Sequence, residues 1–327
     1  MSQTEYELLN EILRAYRKSE VLFVAHELGI LDKIGQQPTD SDTLAKDLEL
    51  SKNGIERLLS ALCAIGIVIK EKEHYTLSVD FQPYLDPDST DYIGGLINHE
   101  IHLHKRWNKL SESVRSGKPV KQSDEPSGAA DTQRFIDAMA VIGNRTAPIL
   151  MKKIVFQGNE YLLDLGGGPG KYIISFCETY PDMQVTLFDQ PDTIRVAQTN
   201  LSNNQHFKNM QFISGDILKD NLGENYDVIF SSNVIHIFGP EDVQIIFDKC
   251  HRALKPGGRL LIKDFFLNDD YTGPEFSTLF SLHMLLSTDG GKCYSEKEMI
   301  SLMEDSNLSY GQSVKLTESS VVIEAFK

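Results

Sequence analysis

The run Asp164-Leu165-Gly166-Gly167-Gly168-Pro169-Gly170 follows an apolar stretch, Tyr161-Leu162-Leu163, and opens into a helical one. Glycines at such a junction let the backbone turn tightly and approach a ligand closely. The end of a first strand is where doubly wound sheets hold their ligands. Asp189 closes a second strand-like run, Val185-Thr186-Leu187-Phe188, and an acid there accepts hydrogen bonds from ribose hydroxyls. Asp216 closes a third, in Ser214-Gly215-Asp216-Ile217, where its carboxylate suits an adenine amino group and Ile217 an adenine face. Asp164, Gly166, Gly168, Asp189, Gln190, Asp216, Ile217, Ser231 and Ser232 form the candidate cofactor set. The chemistry they suggest is the binding of an adenosine-bearing cofactor. A dinucleotide is disfavoured, because that fingerprint is GxGxxG or GxGxxA. Counted from Gly166 the motif meets Pro169, which lacks an N–H, and counted from Gly168 it ends on Ile173.

The elements around these residues alternate. YLLDLGG, VTLFD, MQFISGD, YDVIFSSNVI and RLLIKDFF read as strands; KYIISFCETY, DTIRVAQTNL and DVQIIFDKCHRAL read as helices. That order means a parallel sheet with helices on both faces, and SVVIEAFK supplies a last edge strand. LKPGGRL marks a turn into the fifth strand.

The first half of the chain has another rhythm. A helix is expected from about Glu5 to Leu28, with an apolar stripe of Leu8, Leu9, Ile12, Leu13 and Tyr16 that must be buried against something. Thr39 to Asp42 offer N-cap oxygens before LAKDLEL, Ser51 caps NGIERLLSALCAIG, and Gly66 ends that helix. IVIKEKEHYTLS then alternates as a hairpin with a charged turn near Glu71 to Glu73. Two short helices and a wing make a winged helix. Residues 91–117 read as helical, 116–131 as a long loop, and DTQRFIDAMAVIGNRTAPILMKKI as a helix capped by Asp131 or Thr132.

Composition narrows the partners. The 327 residues carry a formal net charge of -15, and residues 1–95 hold nine Lys and Arg against seventeen Asp and Glu. A DNA reader needs a basic footprint, so a dimerisation scaffold is expected in place of nucleic-acid binding. No apolar run approaches the ~20 residues of a membrane span, and the acidic N-terminus lacks the marks of a signal peptide; a cytoplasmic protein without membrane contact is expected. Cys63, Cys177, Cys250 and Cys293 form no CxxC pair, so neither a disulfide framework nor a zinc knuckle is expected. In His99-x-x-His102-x-His104 only the first two share a helix face at ~100° per residue. No metal site is expected there.

Taken together, LLDLGGGPG, FDQPDTI, SGDIL, NVIHIFGPED and LKPGGRLLIKD resemble the O-methyltransferase family that includes plant caffeic acid and flavonoid enzymes, hydroxyindole O-methyltransferase and bacterial small-molecule enzymes. The resemblance covers nearly the whole chain. It implies an α/β fold: a Rossmann-like class I methyltransferase sheet with an N-terminal, mostly α-helical winged-helix dimerisation domain. Its domains would span 1–95 (dimerisation), 96–155 (a helical connector that adds to the acceptor pocket) and 156–327 (cofactor binding). The resemblance implies S-adenosylmethionine as cofactor, with S-adenosylhomocysteine as product. It also implies a homodimer with interlocked N-terminal regions and a small-molecule acceptor. The expected reaction is in-line methyl displacement onto a hydroxyl oxygen of an aromatic or polyketide-like compound.

His236 stands at the family's base position and Asp264 at the first of two acids that bracket it in plant members. A phenol has a pKa near 10, so a base is useful at neutral pH. The second acid is Cys293 here. The Asp and Trp that follow the plant histidine are Ile237 and Phe238, and the family's cofactor-contacting lysine is Ser232. These departures keep carbon or nitrogen methylation, or a non-methylating relative, as alternatives. A cofactor-sensing winged-helix regulator is the alternative from another class. One of His99, His102 and His104 is expected to line the acceptor pocket, and Met284 either faces that pocket or packs in the core.

Overall fold

The computed structural model describes residues 4–120 and 129–327. They divide into two compact units, 1–102 and 103–327.

In the first unit, Thr4 and Glu7 form a reciprocal capping box that starts a helix at Glu5. The single long helix expected from the sequence is two, Glu5–Arg14 and Tyr16–Glu27. At Ala15 the backbone stays helical, but its hydrogen bonds tighten to the i→i+3 spacing, Ala15 N–H to Ile12 O and Lys18 N–H to Ala15 O. The Leu8, Leu9, Ile12, Leu13 and Tyr16 stripe is exposed, each residue by more than half. Asp40 caps Ser41–Asp47, accepting from Thr43 N–H at 2.8 Å, and Ser51 caps Lys52–Ala64. Gly66, at φ 83°, closes that helix; Ile67 N–H bonds back to Leu62 O, the 6→1 pattern of a Schellman stop. Strands β1 (Thr39–Asp40), β2 (Val68–Glu71) and β3 (His74–Leu77) pair in the order β1-β3-β2. Helix pair, hairpin and wing fall where the sequence puts them, around a core that includes Ile34, Leu44, Leu59 and Leu77.

The second unit is built on β4 (Tyr161–Leu165), β5 (Gln184–Asp189), β6 (Met210–Ser214), β7 (Tyr226–Ser232), β8 (Leu254–Asp264), β9 (Ser309–Lys315) and β10 (Val321–Phe326). Their order is β6-β5-β4-β7-β8-β10-β9. The pairs from β6 through β8 are parallel, and β10 runs antiparallel to both neighbours. Side chains split between two cores with a period of two, as a pleated sheet requires. Leu163, Ile229, Leu260 and Ile262 join the Pro240–Ala253 helix in one core; Leu162, Val228, Phe230 and Leu261 join the Lys171–Thr179 and Pro191–Leu201 helices in the other.

Two sequence expectations need correction here. The SVVIEAFK strand lies inside the sheet, between β8 and β9, and the edge belongs to Ser309–Lys315. That segment is polar, contains Gly311 and is largely exposed, so it lacks the apolar alternation that marks a strand. The expected cap at Asp131 or Thr132 falls inside a helix that already runs from Ala129 to Lys153. Most of the expected loop upstream of it lies outside the described residues. Gly94–Trp107 and Leu110–Ser116 are helical as expected, and Gly117 ends the latter at φ 64°.

Candidate active site

The glycine run leaves the end of β4 with Gly166, Gly168 and Gly170 all in the left-handed region, at φ 76°, 54° and 78°. A side chain at Gly166 would also bring its Cβ to 2.4 Å from Val234 Cγ2. The turn is fixed from the neighbouring strand: Gly166 N–H donates to Phe188 O at 2.8 Å, and Gly168 N–H to Asp189 Oδ2 at 2.8 Å. Asp189 is thus oriented by backbone, with Oδ1 accepting from Gln190 N–H. Burial raises its carboxyl above the ordinary range.

A cavity of about 310 Å³ opens over these strand ends. Asp164, Gly166, Gly168, Asp189, Gln190, Ile217 and Ser232 line it, with Phe135, Met139 and Ile142 forming an apolar wall. Asp216 and Ser231 do not line it. Asp216 is turned to its own loop, accepting from Leu218 N–H at 2.9 Å and Lys219 Nζ at 2.7 Å. Ser231 is buried and donates to Leu165 O at 2.9 Å, which ties β7 to β4. Tyr172 was not singled out from sequence. It lines the cavity and bridges Thr146 at 2.7 Å and Ser232 at 3.3 Å.

Asp164 is the unusual group. It is fully buried, and neither carboxylate oxygen has a hydrogen-bond partner among the described residues. Burial, with the negative charge of Asp189 added, pushes its carboxyl up to about 8. A buried acid left without a partner in a cavity wall is a place where a donating or cationic group of a ligand would be stabilised.

His236 sits in a short 3-10 turn after β7, and Asp264 ends β8. Both are buried, and His236 Nδ1 lies 2.6 Å from Asp264 Oδ1. Asp264 also accepts from Phe265 N–H at 2.8 Å and His236 N–H at 3.3 Å. Every neighbour donates to this carboxylate, so Nδ1 carries the imidazole proton and Nε2 is left as the basic nitrogen. Phe265 stacks on the imidazole at 6.1 Å and Phe280 meets it edge-on at 4.9 Å; Phe276 packs against both phenyl rings. Sequence reading missed this cluster, although Phe276, Phe280 and His283 recur at helical spacing on Glu275–Ser287. Ile237 and Phe238 line the cofactor cavity. Cys293 is buried near Asp264, and burial followed by that charge pushes its thiol up to about 12. It stays neutral and adds no second acid. Met284 is buried. His99, His102 and His104 lie on the Gly94–Trp107 helix. Among the described residues no group of three or more His, Cys, Asp or Glu is placed to hold a metal ion, and no helix is long and apolar enough to cross a membrane.

A glycine turn, a strand-end acid and a nearby His–Asp pair suit an enzyme acting on a nucleoside-bearing cofactor. Comparison with known proteins makes the class specific. Residues 111–308 match the O-methyltransferase domain model, and residues 10–79 match the O-methyltransferase dimerisation domain model. The chain is 26% identical to the S-adenosyl-L-methionine-dependent methyl transferase PigF of Serratia sp., over 94% of this chain and 92% of that one. It is 25% identical to 3-hydroxy-5-methyl-1-naphthoate 3-O-methyltransferase of Streptomyces sahachiroi, over 94% and 91%. The solved structure of human N-acetylserotonin methyltransferase with SAM superposes with a TM-score of 0.87 at 23% identity, covering 100% and 98% of the two chains. This chain belongs to the S-adenosylmethionine-dependent O-methyltransferase family and is an enzyme of that class.

The residues present fit that cofactor. S-adenosylmethionine carries a sulfonium and an ammonium, and the partnerless Asp164 carboxyl in the cavity wall complements such charges.

Proposed function

We propose that the chain methylates a hydroxyl oxygen on a planar aromatic small molecule, with His236 as the base. The buried 2.6 Å contact between His236 Nδ1 and Asp264, with Phe265 and Phe280 packed on the imidazole, carries this reading. Bound S-adenosylmethionine supplies an electrophilic methyl group. Asp189 accepts from the ribose hydroxyls, Ile217 covers the adenine, and Asp164 compensates the donor's positive charge. Asp264 holds the imidazole with Nε2 free to take the hydroxyl proton. The phenyl rings flank the acceptor and exclude water, so the rest of the rate comes from alignment. The naphthoate substrate named for one relative is of this planar kind.

Single-turnover methyl transfer tests the assignment. His236→Ala lowers the rate by ~10²–10⁴-fold, the usual worth of a general base, and Asp264→Ala lowers it less. An unchanged rate in His236→Ala across pH 6 to 9 means that transfer rests on alignment or on an acceptor that ionises unaided.

We also propose a homodimer formed through the Leu8–Tyr16 stripe. An exposed apolar face of this kind marks an interface, and the dimerisation match begins within its helix. Light scattering at micromolar concentration gives twice the 36.8 kDa chain mass for wild type, and Leu9→Glu with Ile12→Glu shifts it towards one. A monomeric wild type contradicts the interface.

A further inference from the structure

Ser232 stands where the family resemblance places a cofactor-contacting lysine, and Lys263 is its register partner on β8. Lys263 is 1% exposed and follows Leu260, Leu261 and Ile262 in an apolar strand. A buried lysine needs a partner to be tolerated. Its Nζ donates to Asn233 Oδ1 at 2.9 Å, and its carbonyl accepts from Asn233 N–H at 2.9 Å. Lys263 thereby clamps Asn233 at side chain and backbone. Asn233 lies in the left-handed region, at φ 58°, and lines the cofactor cavity.

An ammonium only donates hydrogen bonds, so the Asn233 amide oxygen is the atom that faces Lys263. The amide NH₂ therefore points away from Lys263. Strand order points to the part of the donor it meets. Asp189, Gln190 and Gly215 line the cavity from the ends of β5 and β6, whereas Ser232 and Asn233 line it from the end of β7, across β4. With adenosine over β5 and β6, the donor's amino-acid end lies over β7.

We infer that Asn233 and Lys263 together receive the α-carboxylate of the donor's amino-acid end, Asn233 through its amide NH₂ and Lys263 as the positioning residue and buried counter-charge behind it. The pair supplies from a neighbouring strand the cationic character that Ser232 lacks. Burial holds the Lys263 amine down, at about 8, against the opposing pull of Asp264; a carboxylate arriving at Asn233 favours its charged form. Asp164, on the same face of the sheet by strand parity, leaves a negative group for the ammonium. Donor recognition then includes both charges of an amino-acid zwitterion. The inference rests on the reading of this cavity as the S-adenosylmethionine site.

Calorimetry with two adenosine ligands separates the possibilities. S-adenosylhomocysteine carries the amino-acid end, and 5′-methylthioadenosine lacks it. Asn233→Gly removes the side chain while glycine accepts the left-handed backbone; because it also strips Lys263 of its amide partner, it is measured beside the Asn233→Gly/Lys263→Met double variant, with retained 5′-methylthioadenosine binding reporting a folded site. The expected result is a loss of roughly tenfold or more in S-adenosylhomocysteine affinity, as for a hydrogen bond to a charged group, with 5′-methylthioadenosine changed by less than about twofold. Lys263→Met shows the same selective loss. Unchanged S-adenosylhomocysteine affinity in Asn233→Gly, or an equal loss for both ligands, overturns the inference; this variant decides even where Lys263→Met fails to fold. Wild type that bound neither ligand would overturn the donor-site reading itself, and the inference with it.

Discussion

At the donor end of the site, the turn is made by backbone within a few residues of one strand, held by the strand beside it. At the base end, side chains arrive from separate segments: His236 after β7, Asp264 and Phe265 at the end of β8, Phe276 and Phe280 from a later helix. The donor end presents two acids with raised carboxyl pKa values: Asp164, which has no hydrogen-bond partner among the described residues, and Asp189, which is held by backbone N–H groups. The base end presents one fully engaged carboxylate and apolar rings. On the proposed function, the contrast separates a module that recognises a fixed cofactor from one that is free to vary with the acceptor. It also predicts that damage to either end leaves the other working.

Asp189→Ala gives the largest expected effect at the donor end. S-adenosylhomocysteine affinity falls by roughly 10–100-fold, since a half-buried acceptor is removed from the Gly168 N–H and from the ribose it is proposed to hold. The rate at saturating donor stays within about twofold. A large fall in that rate would show that the two ends are coupled.

A smaller effect distinguishes the ends by pH. The Asp164 carboxyl is raised from an ordinary value of 3.8 to about 8 in the folded protein. A raised acid contributes stability below its unfolded value and loses it progressively as pH rises to the folded value. Ligand-free wild type therefore loses thermal stability between pH 5 and 8.5 relative to Asp164→Asn, by roughly 4 °C or more. Saturating S-adenosylmethionine narrows the difference, because the donor compensates the charge. Parallel curves for the two proteins would mean that Asp164 already has a partner.

The same contrast explains what could be read from sequence. A strand, a glycine turn and a strand-end acid leave a contiguous signature, so four residues that line the cavity, Asp164, Gly166, Gly168 and Asp189, stand out from spacing alone. Asp216 fits the same spacing but does not line the cavity; its carboxylate accepts from Leu218 and Lys219 in its own loop. The base pair lies 28 residues apart in sequence, and only the family resemblance joined it. The ring cluster follows from the fold, although helical spacing of Phe276 and Phe280 hinted at it. Lys263 leaves a signal of its own: a lysine within LLIKDFF is anomalous for a buried strand. The winged helix was legible through its caps and its terminal glycine, whereas the polar edge strand Ser309–Lys315 had no pattern to show.

The most direct test of the whole account is where the methyl group goes. Wild-type protein incubated with S-adenosylmethionine labelled with ¹³C in its methyl group, and with a panel of phenolic naphthoates and related planar hydroxyarenes, is followed by carbon NMR. The account predicts a labelled resonance in the aryl methyl ether region, dependent on His236. Label appearing on ring carbon or on nitrogen, or no transfer from a protein that binds the donor, would contradict it.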